Sequence, residues 1–256
     1  MPFVCFVLSF FVDLFICVPP NLFSLQDGRR ILPSGAVYSG TFANKQFDGQ
    51  GEMRWPAPIS ATYTGQWRAG LRNGEGVYVQ QPGGEESGRW LRYEGQWLRG
   101  VRHGTAEMSS SNGERFEGQF ENGLMTGDGV LRTATGDVYE GQWKNGAYDG
   151  VGTFSIPSIG YEYTGEVAKG KAQGTGVERV GTGEMYRGQF HDDRRHGKGS
   201  ALLPSGDAYR GQWYRGQFHG VGEYVACSAS FGNFIPLRIA FHPNPFPDFD
   251  SLHRCT

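Results

Sequence analysis

Residues 139–154 read Tyr139-Glu140-Gly141-Gln142-Trp143-Lys144-Asn145-Gly146-Ala147-Tyr148-Asp149-Gly150-Val151-Gly152-Thr153-Phe154. Two alternating runs flank Asn145-Gly146. Asn-Gly is the strongest short hairpin signal, because both residues tolerate positive φ. Counting Tyr139 as position 0, the residues at 0, +2 and +4 share one face of a strand, since side chains alternate with period two. That face presents Tyr139, Gly141 and Trp143. The returning run steps through Gly150, Gly152 and Phe154 on the same parity.

The same core recurs outward in both directions. YSGTF (38–42), YTGQW (63–67), YEGQW (93–97) and FEGQF (116–120) precede it; YTGEV (163–167), YRGQF (186–190) and YRGQW (209–213) follow. The eight starts lie 25, 30, 23, 23, 24, 23 and 23 residues apart. Gly holds +2 and +11 in all eight units and +13 in seven, Ala106 being the exception; +7 departs from Gly only at Lys45 and Asp193. A fixed short period marks an array of small units, each unable to bury its apolar face alone. The repeat core is thus carried by triplets such as Tyr63, Gly65, Trp67; Tyr93, Gly95, Trp97; Tyr139, Gly141, Trp143; and Tyr209, Gly211, Trp213.

A turn centred at +6/+7 makes cross-strand positions sum to thirteen. Tyr139 then faces Gly152, and Gly141 faces Gly150. Rings lie over bare glycine backbone, the close approach that justifies glycine in a strand. The expected fold is all-β: about sixteen short antiparallel strands in an elongated, single-layer, twisted open ribbon, about 75 Å long at ~4.8 Å per strand. One hairpin is marginal in water, but eight in series share one aromatic stripe.

These residues resemble the MORN repeat (membrane occupation and recognition nexus), whose unit runs Tyr-x-Gly-x-Trp-x-x-Gly-x-x-x-Gly-x-Gly. Eight such units cover residues 31–225, between an apolar segment (1–30) and a Pro-rich tail (226–256). The resemblance implies an elongated β-hairpin array used as a scaffold, a partner-binding rod or a membrane–cytoskeleton linker, in cytoskeletal, ciliary or membrane-junction settings. It also implies a second use, binding of acidic lipid. A third is a regulatory fragment of a lipid kinase or methyltransferase, since the repeats occur fused to such domains. No stretch of this chain outside the repeats is long enough for one.

Composition agrees with a thin array. Hydrophobic content is 38%, Gly numbers 41 and aromatics reach 14%. A net charge of −2 gives no global basic bias towards nucleic acid. Cys5, Cys17, Cys227 and Cys255 show no disulfide or zinc spacing. The repeats need no oxidation, which fits a reducing, cytoplasmic compartment. Residues 1–23, MPFVCFVLSFFVDLFICVPPNLF, leave four readings open: signal or membrane anchor, cap over the first hairpin, membrane-surface segment, or extension without function. Asp13 and the missing basic leader weaken the first; an open edge strand that needs cover supports the second. In the tail, FGNFIPLRIAF offers a cap for the last hairpin, whereas HPNPFPDF cannot pair regularly. Enlarged connectors around 81–87 and at Pro56 and Pro58 are loops, open to partners or merely tolerated.

Basic residues gather near the hairpin tips: Arg68, Arg72, Arg99, Arg102 and Lys144, then Lys169, Lys171, Arg194, Arg195 and Arg215. Stacked along one edge they form a candidate site for anionic headgroups or an acidic protein surface. Asp149, Asp192 and Asp193 interrupt that stripe. His103, His196 and His219 hold +10, the last two in adjacent units, but no further metal ligand recurs in register. Gln recurs at +3 in six units, in position for a side-chain ladder on the face away from the rings. Gly197-Lys198-Gly199-Ser200 lacks the first glycine of a phosphate loop. No nucleophile elbow or zinc-helix motif occurs. The expectation is a non-catalytic scaffold without metal or cofactor, binding protein partners. A homodimer formed tail to tail stays open. Unit six, where Val167 replaces the ring, is the expected soft joint.

Overall fold

The computed structural model describes residues 26–80, 90–227 and 235–240, the last by backbone alone. Residues 1–23, the connector at 81–87 and HPNPFPDF lie outside the described residues.

The chain divides into two compact units. Among the described residues the first comprises 26–80 and 90–113 with Phe120–Gly123, the second Glu114–Gln119 with 124–227 and 235–240. In the first unit, β1 (Gln26–Ile31), β2 (Val37–Ala43), β3 (Gln46–Trp55), β4 (Ala61–Arg68), β5 (Leu71–Gln80), β6 (Trp90–Leu98) and β7 (Val101–Ser110) follow one another. Each pairs antiparallel with the next. The strand β8 (Arg115–Glu121) is shared between the units. The second unit continues with β9 (Leu124–Arg132), β10 (Val138–Lys144), β11 (Ala147–Ile156), β12 (Tyr161–Ala168) and β13 (Lys171–Arg179). It ends with β14 (Met185–His191), β15 (Arg194–Leu202), β16 (Ala208–Tyr214), β17 (Gln217–Ala226) and β18 (Ile235–Ala240). From β9 to β18 each strand again pairs antiparallel with its successor. The described residues hold one short 3-10 turn, Pro157–Ile159, and no α-helix. The all-β hairpin architecture read from the repeat is the observed one. Two strands come in addition: β1 lies on β2, and β18, drawn from the apolar piece of the tail, lies on β17.

The turns sit where the spacing puts them. Asn122-Gly123 and Asn145-Gly146 have positive φ at both residues, 50° with 83° and 52° with 82°. That is the type I′ geometry whose twist matches a hairpin. Asp192 and Asp193 adopt it without glycine, at 49° and 64°.

The cross-strand register differs from the expected one below the tip. Trp143 pairs with Tyr148 and Lys144 with Ala147, positions that sum to thirteen. Beyond Trp143 a bulge intervenes, and the pairs become Tyr139 with Phe154 and Gly141 with Gly152. So Tyr139 does not face Gly152, nor Gly141 Gly150. The bulge adds two residues to the returning strand. Two is an even number, so every side chain keeps its face although its partner changes.

Glycines thereby meet glycines. In the second unit Gly141, Gly152, Gly165, Gly176, Gly188, Gly199, Gly211 and Gly222 oppose one another across successive strands. The Tyr139 ring reaches along its strand over this row: a Cβ on Gly152 would come 2.7 Å from its Cζ. Its hydroxyl donates to the Gln142 carbonyl at 2.9 Å. The tyrosine at position 0 makes the same bond in seven units, with Phe116 the exception. Trp67, Trp97, Trp143 and Trp213 each donate Nε1 to the carbonyl of the +13 glycine one unit earlier, at 3.1–3.3 Å. Edge-to-face contacts link ring pairs of successive repeats, except where Val167 follows Tyr139: Tyr38–Trp67, Tyr63–Trp97 and Tyr93–Phe120 in the first unit, Phe116–Trp143, Tyr163–Phe190 and Tyr186–Trp213 in the second. The core is therefore a ribbon of rings on glycine backbone, with Tyr38, Tyr63 and Tyr186 wholly buried.

Candidate functional site

The ten basic residues grouped at the tips separate by face. Arg72, Arg102 and Arg195 stand at position +9, on the ring face. The Arg72 guanidinium lies 4.0 Å from the Trp97 ring centre and 5.7 Å from that of Tyr63. Arg102 lies 5.8 Å from Tyr93 and 5.9 Å from Phe120, and burial holds its guanidinium below the usual arginine range. Arg195 covers Tyr186 at 5.1 Å and Trp213 at 5.5 Å, and pairs with Glu178 at 2.6 Å and with Glu184. In three other repeats +9 is a ring doing the same work: Phe47, Tyr148 and Phe218 stack on Tyr38, Tyr139 and Tyr209 at 3.9–4.0 Å, while Met125 and Ala172 hold +9 in the remaining two. These three arginines are lids on the tyrosine row, held by cation–π contact.

The other seven reach solvent. Arg99, Lys169 and Arg215 occupy the first turn position, with φ of 50°, 52° and 51°. Arg68 and Lys144 end their outgoing strands, while Lys171 and Arg194 begin returning ones. Aspartates between them are engaged in the turns. Asp149 accepts from the Lys169 amide at 3.3 Å and Asp193 from the Ala172 amide at 2.7 Å. Asp192 accepts from Lys171 Nζ at 3.3 Å, which lowers its carboxyl below the ordinary range. The tips are also tied to one another by backbone. The amide at +7 donates to the carbonyl at +9 of the preceding hairpin: Gly70 to Phe47 and Gly100 to Arg72 at 2.8 Å, Gly170 to Tyr148 at 2.9 Å, Gly216 to Arg195 at 2.8 Å.

The glutamines at +3 form no ladder. Five of the six turn back on their own hairpin, where Oε1 accepts the amide at +12: Gln66 from Glu75 at 3.0 Å, Gln96 from Thr105 at 3.3 Å, Gln142 from Val151 at 2.9 Å, Gln189 from Lys198 at 2.8 Å and Gln212 from Val221 at 3.1 Å. That amide is one the bulge leaves unpaired. The glycine at +11 follows from the same geometry. It has positive φ, 78° at Gly74 and 59° at Gly197, and a Cβ there would run into the glutamine. Glu166 replaces Gln in unit six and accepts the same amide, from Thr175, at 2.8 Å.

His196 and His219 do not stack on each other; Tyr214 stands between them, 5.4 Å from one and 5.5 Å from the other. Among the described residues no cluster of three His, Cys, Asp or Glu is arranged to hold a metal ion, and no helix is long and apolar enough to cross a membrane. A repeat signal that spacing alone missed lies at the opposite end of the hairpins. Ser/Thr-Gly pairs close the connectors there, as in Thr135-Gly136 and Ser205-Gly206, where Gly136 donates to the Thr133 carbonyl at 3.1 Å and Gly206 to Leu203 at 2.9 Å.

Comparison with known proteins agrees with this geometry. The MORN repeat profile matches residues 38–57, 63–85, 93–115, 116–138, 139–158, 163–184, 186–208 and 209–228. Alsin of Rattus norvegicus is 38% identical over 88 residues, 32% of this chain. The match spans only 5% of that relative's length. With eight matched repeats across well over half its length, the chain belongs to the MORN repeat family.

Proposed function

We propose that this chain is a non-catalytic scaffold whose variable surfaces organise protein partners. One observation carries the reading: the side chains that recur are spent on the fold itself. The tyrosine hydroxyl, the indole N–H and the +3 amide each have an intramolecular partner in unit after unit. Specificity then belongs to what differs between hairpins: the tips, the back face, the enlarged connectors and the ends. The setting that suits such an array is cytoplasmic, on a cytoskeletal, ciliary or membrane-associated structure. Proximity labelling in the native cell, joined to capture on the intact array, tests this. Reproducible protein neighbours are the expected result, and a captured set no different from that of an unrelated β protein contradicts it.

A second reading, an anionic-lipid module, draws on Arg68, Arg99, Lys169 and Arg215, which are exposed at the tips. It predicts flotation with anionic vesicles that charge reversal at these four residues abolishes. Unchanged flotation would dismiss the tip edge as the lipid site.

A further inference from the structure

The face of the sheet away from the rings changes character along the second unit. Across β10–β12 it carries Glu140, Asp149 and Glu166 beside Lys144. Across β14–β17 it carries Arg187, Arg194, Lys198 and Arg210, all exposed, against Glu223, which stands opposite Arg210, and Asp192 and Asp193 in the β14–β15 turn, where Asp192 is held by Lys171. These four cations sit on three adjacent strands, with Arg187 and Arg210 each opposite Ser200 in the register. No ion pair joins any of them to a carboxylate among the described residues, whereas Arg195, on the other face, holds two.

A ring row runs alongside. His191, His196, Tyr214 and His219 follow one another at 5.7, 5.4 and 5.5 Å between ring centres. It crosses the strands as the cations do. The Arg215 guanidinium covers the Tyr214 ring at 5.3 Å. Elsewhere in this unit the +5 and +10 positions are Thr126, Lys144, Asp149, Ala168 and Gln173, so the row belongs to the last two hairpins.

From this placement we infer that the back face of β14–β17 is a docking surface for a short acidic segment of a protein partner, with carboxylates on Arg187, Lys198 and Arg210 and aliphatic stems against the His/Tyr row. The inference rests on the scaffold reading and gives its partner a chemistry. Size decides the class of ligand. Four strands at ~4.8 Å make a face under about 20 Å wide, the length of five or six extended residues. A long single-stranded nucleic acid or a bilayer would run past it onto Glu140, Asp149 and Glu166, and polyanion affinity depends on the number of charges neutralised. A short acidic segment fits inside the basic zone, where complementary charge fixes register and speeds encounter.

The test uses the full chain and a fluorescein-labelled peptide carrying six consecutive glutamates, read by anisotropy at low ionic strength. Arg187→Glu with Arg210→Glu is expected to weaken binding about tenfold or more, while Arg68→Glu with Arg99→Glu changes it less than about twofold. The milder pair Arg187→Gln with Arg210→Gln, with circular dichroism melts of all variants, separates lost contact from lost fold. Absence of peptide binding overturns the inference, as does equal weakening in both charge-reversed pairs. Tighter binding of a thymidine dodecanucleotide or of phosphatidylserine vesicles overturns it too, by assigning the face to another class. If the inference fails while cellular neighbours persist with the charge-reversed face, the scaffold reading stands and its contacts lie elsewhere on the array.

Discussion

Tyr63 shows how one residue serves three purposes. Its ring covers the backbone of Gly65 and Gly76, its edge meets Trp67 and Trp97, and its hydroxyl donates to the Gln66 carbonyl at 2.9 Å. Tyr63→Phe keeps the first two and loses the third, for an expected cost of about 1 kcal/mol by denaturant melt; Phe116 shows that the array tolerates the change. Burial pushes the Tyr38, Tyr63, Tyr93, Tyr139 and Tyr186 phenols up to about 12. Unfolded phenols titrate near ~10, so the folded state binds these protons more tightly. The associated stability is complete below about pH 10 and falls as pH rises towards about 12. Alkaline melts should show a slope of several protons, reduced in Tyr63→Phe; a slope no steeper than that of an unfolded tyrosine peptide's own titration would contradict shared burial. The arginines separate in the same way. Arg72→Ala removes a guanidinium from the Trp97 and Tyr63 rings and should cost about 1 kcal/mol, whereas Arg68→Ala stays within about 0.5 kcal/mol. Sequence spacing placed both near the tip and grouped them there, although the step of two already set +9 with the rings and +5 behind them; what spacing could not give is the contact of the +9 guanidinium with the rings.

At the level of the hairpin, the turn centre and the two faces were legible in the sequence. Both follow from the Asn-Gly pairs and from the step of two between Tyr139, Gly141 and Trp143. The two-residue bulge was not, because a slip in pairing leaves no mark on residue spacing. Its one trace was the invariant glycine at +11 with Gln at +3, residues that read as a ladder until their bond across one hairpin is seen. The bulged hairpin makes a sharp contrast. A Cβ on Gly141 would meet Val151 O at 2.7 Å and Tyr139 Oη at 2.8 Å, as well as the Cα of Gly152. Gly141→Val should therefore cost at least about 3 kcal/mol, and Gln142→Val about 1 kcal/mol for one lost bond. Equal losses would reject the ring-on-glycine packing. Unit six interrupts the ring relay, since Val167 offers no edge to Tyr139 and no N–H to Gly152. Amide exchange should be fastest across 161–178. Val167→Trp should restore both contacts as Trp67 makes them with Tyr38 and Gly51, and stabilise the protein by about 1 kcal/mol; a lower melting temperature would mean that Tyr148 already fills the site.

Across the whole molecule, repetition and variation divide the labour. The recurrent residues close their hydrogen bonds internally and so build the array; the proposed scaffold would meet its partners through positions that differ between hairpins. The family and the hairpin architecture could be read from eight spaced cores. The basic face of β14–β17 could not, because a net charge of −2 averages over it and because its rings come from two strands per hairpin. The most direct measurement is proximity labelling in the native cell with the intact chain and with a variant carrying charge reversals at Arg68, Arg99, Arg187 and Arg210, all on exposed variable positions. The account predicts a reproducible set of protein neighbours that shrinks in the variant while its melting temperature is unchanged. Neighbours identical in both would place recognition away from these four residues, and no specific neighbours for either would contradict the account.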